Sequence, residues 1–169
     1  MAFQGLDFYN VDRHFSDEER MVRDLVRGWV DDNIIPIIEE HCRAGTFPME
    51  LIPQIGEMGL LGMNLEGYGC AGMSNVAYGL ACQELERGDS GLRSFVSVQG
   101  SLCMFPIWKY GSEAQKQRYL PDMAKGKLIG CFGLTEPDHG SHPGGMATKA
   151  VDDGDSYVVN RSEEHTSEL

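Results

Sequence analysis

Basic side chains are scarce in this sequence of 169 residues: 14 Lys and Arg stand against 26 Asp and Glu, and the formal net charge is −12. A nucleic-acid binder needs clustered Lys and Arg to neutralise phosphates, and an anionic membrane surface attracts the same residues. We therefore expect neither kind of partner. The shares of hydrophobic residues (41%) and charged residues (24%) are typical of a globular chain and not of a disordered one.

Long apolar runs are also missing. No uncharged stretch approaches the roughly 18 residues that a membrane-spanning helix needs. The first residues, Met1-Ala2-Phe3-Gln4-Gly5, form neither a basic nor an apolar leader segment. The sequence therefore predicts a soluble, cytoplasmic protein without a membrane span.

The cysteines form no C-x-x-C pair, and their number is odd, so neither a zinc site nor a disulfide framework is indicated. We expect reduced and mostly buried thiols at all five positions, which are Cys42, Cys70, Cys82, Cys103 and Cys131.

Helical patterns begin at Ser16, which forms a capping box with Glu19. Apolar residues at spacings of three and four then predict an amphipathic helix to about Cys42, and Pro36 predicts a break near Asn33. A second helical stretch follows residues 47–48 and ends at Gly59.

Three further helices are predicted. Ser74 caps a helix that stops at Gly88, where a glycine C-cap is expected. Residues 92–109 form a long apolar segment, which we assign to a buried helix. Ser112 and Gln115 form a second capping box, which opens a short helix to Leu120.

The pattern changes after Lys127. Residues 128–135 predict a short buried strand, and residues 149–160 predict a hairpin that turns on Asp153-Gly154. The expected fold class is therefore mainly α, with an all-α domain over residues 1–123 and the start of a β-barrel middle domain over residues 124–160.

Residues 161–169 have no apolar face, and they resemble the translation of a widely used sequencing adapter. We expect this tail to lie outside the fold. The natural protein is then expected to continue beyond Asn160, which makes the chain an N-terminal fragment.

The first glycine-rich stretch, residues 67–72, fits the spacing G-x-G-x-x-G. A nicotinamide-binding loop of this kind needs a preceding strand, which residues 60–65 would supply, and an acid such as Glu86 or Asp89 about 20 residues on. Ser74, however, starts its helix after the third glycine. A turn between helices is therefore the favoured interpretation.

The second glycine-rich stretch follows the predicted strand and has a hydroxyl at each end, from Thr135 and Ser141. Exposed backbone N–H groups and hydroxyls suit a phosphate or the polar edge of a heterocycle, although a structural turn explains the spacing equally well. His139 and His142 have no third ligand nearby, so a metal site is not indicated.

Residues 132–141, Phe-Gly-Leu-Thr-Glu-Pro-x-x-Gly-Ser, resemble the signature of the acyl-CoA dehydrogenases, although His142 replaces the Asp that follows in the family. The resemblance extends through residues 59–62, 111–121 and 126–132. Within the family, residues 86–99 look most like the glutaryl-CoA dehydrogenase branch.

The resemblance implies an FAD enzyme that oxidises the α,β bond of an acyl-CoA thioester and passes the electrons to electron-transfer flavoprotein. In the glutaryl branch the product then loses CO2 and becomes crotonyl-CoA. A Glu in the C-terminal part of the family takes the α-proton, so we expect the 169-residue chain alone to be inactive. The parent enzyme is expected to be a homotetramer.

The resemblance also assigns site residues. Arg93 and Ser94 would hold the acyl tail, with Ser97 and Glu86 beside them and Ser141 near the CoA arm. A guanidinium suits a second carboxylate because it forms bidentate, charge-assisted hydrogen bonds. Of the residues assigned to FAD, Leu134 and Thr135 would meet the flavin ring, and Gly140 and Ser141 would approach its pyrophosphate. Phe132 and Gly133 would line the cofactor as well.

Other interpretations remain open. The enzyme would act on another short or branched acyl-CoA, or it would oxidise glutaryl-CoA without decarboxylation. A different class is a non-catalytic helical binding module, in which the glycine-rich loops are only turns.

Overall fold

The computed structural model of the protein describes residues 8–161. The chain divides between Cys131 and Phe132 into two compact units, of which residues 8–131 and 132–161 are described. The predicted domain division after residue 123 stays a prediction. The first five residues and most of the adapter-like tail lie outside the described residues.

The first unit is helical and the second carries a β-hairpin, so the predicted mainly α class is confirmed. Short 3₁₀ turns occur at Val11–His14, Met49–Leu51 and Pro143–Gly145. The regular elements are α1 (Asp17–Asn33), α2 (Ile38–Ala44), α3 (Ile52–Glu57), α4 (Asn75–Gly88), α5 (Ser90–Ser97), a π-helical segment (Val98–Met104), α6 (Phe105–Tyr110), α7 (Glu113–Ala124), β1 (Ala150–Asp152) and β2 (Tyr157–Val159).

Helices α1 and α4 begin side by side. The capping box of Ser16 and Glu19 is present, and the second carboxylate oxygen of Glu19 accepts a hydrogen bond from the Ser74 hydroxyl over 2.7 Å. Ser74 in turn caps α4 by accepting from Ala77 N–H. One carboxylate thus connects two helix N-termini, and the two helices run parallel from there.

A buried carboxylate connects the same helices farther along. The side chain of Glu84 is 1% exposed and accepts hydrogen bonds from Arg27 on α1 (2.7 and 3.1 Å) and from Arg87 on α4 (3.0 Å). Arg87 also pairs with Asp31 on α1. Burial raises the pKa of Glu84, but the hydrogen bonds from Arg27 and Arg87 hold the pKa below its ordinary value.

Gly88 ends α4 as predicted, but for a different reason. Its φ is not positive, and the helix stops because Asp89 adopts an extended conformation and caps α5. A Cβ on Gly88 would lie 2.7 Å from Val30 Cγ1 and 3.1 Å from Ile34 Cγ2. The glycine therefore permits the close approach of α1 and α4.

The core of the first unit lies among these helices. Fully buried side chains come from five of them: Val30 (α1), Ile55 (α3), Leu85 (α4), Leu92 (α5) and Leu120 (α7). The predicted break after Asn33 is confirmed, since α1 ends there and helical structure resumes at Ile38.

Two predictions for the later helices need correction. The apolar segment 92–109 is not one regular helix, because the π-helical segment with its wider turns separates α5 from α6, just before Pro106. Helix α7 begins at its predicted capping box but continues past Leu120 and through Pro121. Burial of Met123 and Ala124 in the core offsets the backbone hydrogen bond that Pro121 cannot donate.

The predicted buried strand over residues 128–135 is wrong. These residues pair with no strand within the described part of the chain, and most of them are exposed. The backbone around Gly130 instead bonds to the Gln99 side chain. The predicted hairpin is confirmed: β1 and β2 are antiparallel, with Val151 opposite Val158, and Gly154 takes φ +84° in the turn.

All five cysteines are free, but the expectation that most are buried is wrong. Only Cys103 is buried, whereas Cys42 and Cys131 are exposed. Apolar spacing alone did not show which side of its segment each thiol occupies. Within residues 8–161, no helix combines the length and the hydropathy that are required to cross a membrane.

Replacing two helical glycines with alanine should change the free energy of unfolding in opposite directions. Gly88→Ala should lower the free energy of unfolding by about 1–3 kcal/mol, because the new methyl group meets the stiff side chain of buried Val30. Gly28→Ala on the exposed face of α1, with nothing within 4 Å of its Cβ, should raise it by about 0.5–1 kcal/mol. Urea unfolding followed by circular dichroism measures both, and equal shifts would contradict the close approach.

Removing the charge of Glu84 should destabilise the helical unit in a pH-dependent way. Glu84→Gln is expected to cost roughly 3 kcal/mol at pH 7, because two guanidinium groups lose a buried partner. The contribution of Glu84 is fully present above its unfolded pKa, near 4.5, and is lost as the pH falls through the lower folded pKa.

The difference in unfolding free energy between the two proteins should therefore narrow below about pH 4.5. Urea unfolding at a series of pH values tests this. Glu57→Gln, at an exposed carboxylate on α3, is the matched control and should change stability by less than about 0.5 kcal/mol. A difference that stays constant from pH 7 to pH 3 would show that the Glu84 carboxylate has no special role.

Candidate functional site

A cluster of polar side chains lies where α4 and α5 face each other. Arg93 Nε donates to Glu86 Oε2 over 2.5 Å, and Arg93 Nη1 donates to the Ser97 hydroxyl over 3.3 Å. Ser97 donates in turn to the carbonyl oxygen of Ser94 over 3.0 Å. The structure thus brings together the side chains of Glu86, Arg93 and Ser97, whereas Ser94 takes part only through its backbone carbonyl oxygen.

Charge at this cluster is balanced. The Ser90 hydroxyl donates to Glu86 Oε1 over 2.6 Å, and hydrogen bonds from Ser90 and Arg93 lower the pKa of Glu86 below its ordinary value. Glu86 is therefore ionised at neutral pH. The Arg93 side chain is 35% exposed, so the cluster is not closed off from solvent.

Uncharged polar groups extend the cluster along α4. They were not predicted from the sequence. Tyr78 and Cys82 precede Glu86 on α4 at spacings of four, and the Tyr78 hydroxyl lies 3.3 Å from the Ser101 hydroxyl in the π-helical segment. Burial raises the pKa of both Tyr78 and Cys82, so both are neutral at pH 7. The repeated spacing was the available signal.

The second unit holds the predicted cofactor loop. Phe132, Leu134 and Ser141 are exposed, and a Cβ on Gly140 would lie 3.9 Å from Thr135 Cγ2. The two ends of the segment 135–140 are therefore adjacent. A Cβ on Gly133 would lie 2.7 Å from Arg161 Nη1, and Arg161 donates to the Thr135 carbonyl oxygen.

Two buried polar residues were not singled out from the sequence. Gln99 donates to the carbonyl oxygens of Met123 and Leu128 and accepts from Gly130 N–H, which fixes the last residues of the first unit. Glu136 is 8% exposed and accepts from backbone N–H groups in its own unit. An amide in an apolar run was the only signal for Gln99, and Glu136 had none beyond its place in the signature.

Two other sequence motifs, the histidine pair and the first glycine-rich stretch, form neither a metal site nor a nucleotide-binding loop in the described part of the chain. The rings of His139 and His142 lie 6.2 Å apart, and in the described part of the chain no group of three or more His, Cys, Asp or Glu is arranged to hold a metal. Residues 60–65 form turns instead of a strand, and Gly67, Tyr68 and Gly69 all have positive φ. The nicotinamide-binding interpretation is therefore wrong, and the turn between helices is confirmed.

Comparison with known proteins gives consistent matches. A sequence model described as acyl-CoA dehydrogenase, N-terminal domain, matches residues 16–127. A probable acyl-CoA dehydrogenase of Bacillus subtilis is 40% identical over 146 residues, which cover 85% of this chain and 38% of that protein. The short-chain specific acyl-CoA dehydrogenase of Clostridium acetobutylicum is 38% identical over 155 residues, covering 90% of this chain and 40% of that protein.

A solved structure matches as well, at higher sequence identity. The crystal structure of a glutaryl-CoA dehydrogenase from Mycobacterium smegmatis, in complex with FADH2, has a TM-score of 0.90 and 52% identity. The match covers 94% of this chain and 41% of that one, so the chain spans about two fifths of the length of the relatives it matches. Since the matched N-terminal domain takes up most of its residues, the chain belongs to the acyl-CoA dehydrogenase family.

Proposed function

We propose that the protein carrying this chain oxidises the α,β bond of an acyl-CoA thioester with FAD, and that glutaryl-CoA is its substrate. The observation that carries the choice of substrate is Arg93, held by Glu86 and Ser97 on the facing sides of α4 and α5. The similarity to the mycobacterial glutaryl-CoA dehydrogenase supports it.

A dicarboxylic acyl group brings a second carboxylate into its binding site, and an unpaired carboxylate is costly to remove from water. Glu86 takes the Nε side of the Arg93 guanidinium, and Ser97 contacts Nη1. The exposed remainder of the guanidinium is free to form charge-assisted hydrogen bonds with the carboxylate. Glu86 orients Arg93 and limits its attraction for unrelated anions.

The loop of the second unit fits FAD by its chemistry. Phe132 and Leu134 present apolar surface suited to the flavin ring, and the hydroxyls of Thr135 and Ser141 are suited to its polar edge and pyrophosphate. Gly140 is exposed and has no side chain to cover its backbone N–H, which favours a phosphate. When bound, FAD accepts the hydride that leaves the β-carbon.

The remaining parts of the proposal follow from the family resemblance. The α-proton goes to a Glu for which no residue among the 169 is a match, so the chain by itself is inactive. Oxidation of glutaryl-CoA is followed by loss of CO2 to give crotonyl-CoA. Electron-transfer flavoprotein takes the electrons, and the enzyme is a cytoplasmic homotetramer.

A dehydrogenase for another short or branched acyl-CoA is the second candidate. The ion pair of Arg93 with Glu86 favours it, because the pair leaves the cluster electrically neutral without a substrate carboxylate. The short-chain specific relative from Clostridium supports the same candidate.

Replacing Arg93 distinguishes the two candidates. In the full protein, Arg93→Met should lower kcat/KM for glutaryl-CoA by about 100-fold, because the distal carboxylate loses its charge-assisted partner. The value for butyryl-CoA, which has no second carboxylate, should change by less than about threefold. Steady-state kinetics with both substrates provides the measurement.

Arg93→Lys is the matched control, since it keeps the charge and loses the planar fork. Its kcat/KM for glutaryl-CoA should lie between the values of the unaltered protein and of Arg93→Met. An equal loss on both substrates in Arg93→Met would count against recognition of a carboxylate and favour the second candidate.

A further inference from the structure

Glu136 has an unusual position in the second unit. Residues 131–135 and 140–144 are exposed, yet the Glu136 side chain is buried. Its Oε2 accepts a hydrogen bond from Ala147 N–H over 2.8 Å, and its Oε1 accepts from Thr148 N–H over 2.9 Å. One carboxylate therefore bonds two adjacent backbone N–H groups that lie eleven and twelve residues after it in the sequence.

The backbone of the same residue closes a smaller turn. Glu136 N–H donates to the His139 carbonyl oxygen over 3.0 Å, and His139 N–H donates to the Glu136 carbonyl oxygen over 3.1 Å. Gly140 and Ser141 therefore lie between two fixed points: the turn that ends at His139, and the backbone at residues 147–148 that bonds to the Glu136 side chain. The described residues supply no strand to hold this segment, so the carboxylate replaces the missing backbone partners.

We propose that Glu136 is a positioning residue for the cofactor: its carboxylate closes the loop 136–148 and so holds Gly140 and Ser141 in the conformation that binds FAD. This inference rests on the proposed function, in which those two residues meet the FAD pyrophosphate. It adds a requirement for the carboxylate itself, because both oxygens act as acceptors.

That requirement makes the amide variant informative. In Glu136→Gln the side chain keeps its shape, but one terminal atom becomes an NH2 donor that faces a backbone N–H donor. If Glu136 served only to fill space, glutamine would replace it without loss. If both N–H groups need an acceptor, glutamine should be nearly as damaging as alanine.

The experiment uses the full protein with Glu136→Gln, Glu136→Ala and the control Asp155→Asn, which removes an exposed carboxylate from the hairpin turn of the same unit. Titration of the apoproteins with FAD, followed by flavin fluorescence, gives Kd. Hydrogen–deuterium exchange gives the protection of the Ala147 and Thr148 amides without any cofactor.

Both Glu136 variants should raise the FAD Kd by about tenfold or more, and exchange at residues 147 and 148 should accelerate by a similar factor. Asp155→Asn should change neither quantity.

An unchanged FAD Kd in Glu136→Gln would overturn the inference and leave the proposed function intact, whether or not exchange accelerates. Weakened binding in Glu136→Ala alone would reduce Glu136 to a packing role and overturn it as well. If the unaltered protein fails to bind FAD, the proposed function fails, and the inference fails with it.

Discussion

The structure depends on one buried ionic contact between α1 and α4. Glu84 is almost fully removed from water, and such a carboxylate is tolerable only with close cationic partners. Arg27 and Arg87 supply them, and together with Gly88 they fix the register and the close approach of two parallel helices. With α1 packed in this way, the opposite side of α4 is left to face α5.

Glu84 and Glu86 show how position separates two roles for one residue type. They lie two residues apart on α4, which turns their side chains to nearly opposite sides of the helix. Hydrogen bonds to arginine lower the pKa of both, in the case of Glu84 against the effect of burial. Glu84 is enclosed and stabilises the fold, whereas Glu86 is half-exposed and pairs with Arg93, which also stays partly exposed.

Sequence reasoning succeeded where the signal is local and failed where it depends on contacts between distant residues. Capping boxes, the break before Pro36 and the hairpin at Gly154 each involve a few neighbouring residues, and the signature 132–141 is contiguous. No local pattern distinguishes Glu84 from a surface residue, because its burial requires α1. The strand over residues 128–135 failed for the same reason, since a strand needs a partner elsewhere in the chain.

The central claim is that the full protein selects glutaryl-CoA through its second carboxylate. The most direct test supplies the FAD-loaded protein with an electron acceptor and with equal concentrations of glutaryl-CoA and butyryl-CoA, and follows the loss of each substrate by mass spectrometry, because both substrates yield crotonyl-CoA. The account predicts faster consumption of glutaryl-CoA, with crotonyl-CoA and CO2 formed in equal amounts when it is the only substrate. Oxidation of butyryl-CoA with glutaryl-CoA left unchanged would contradict the account.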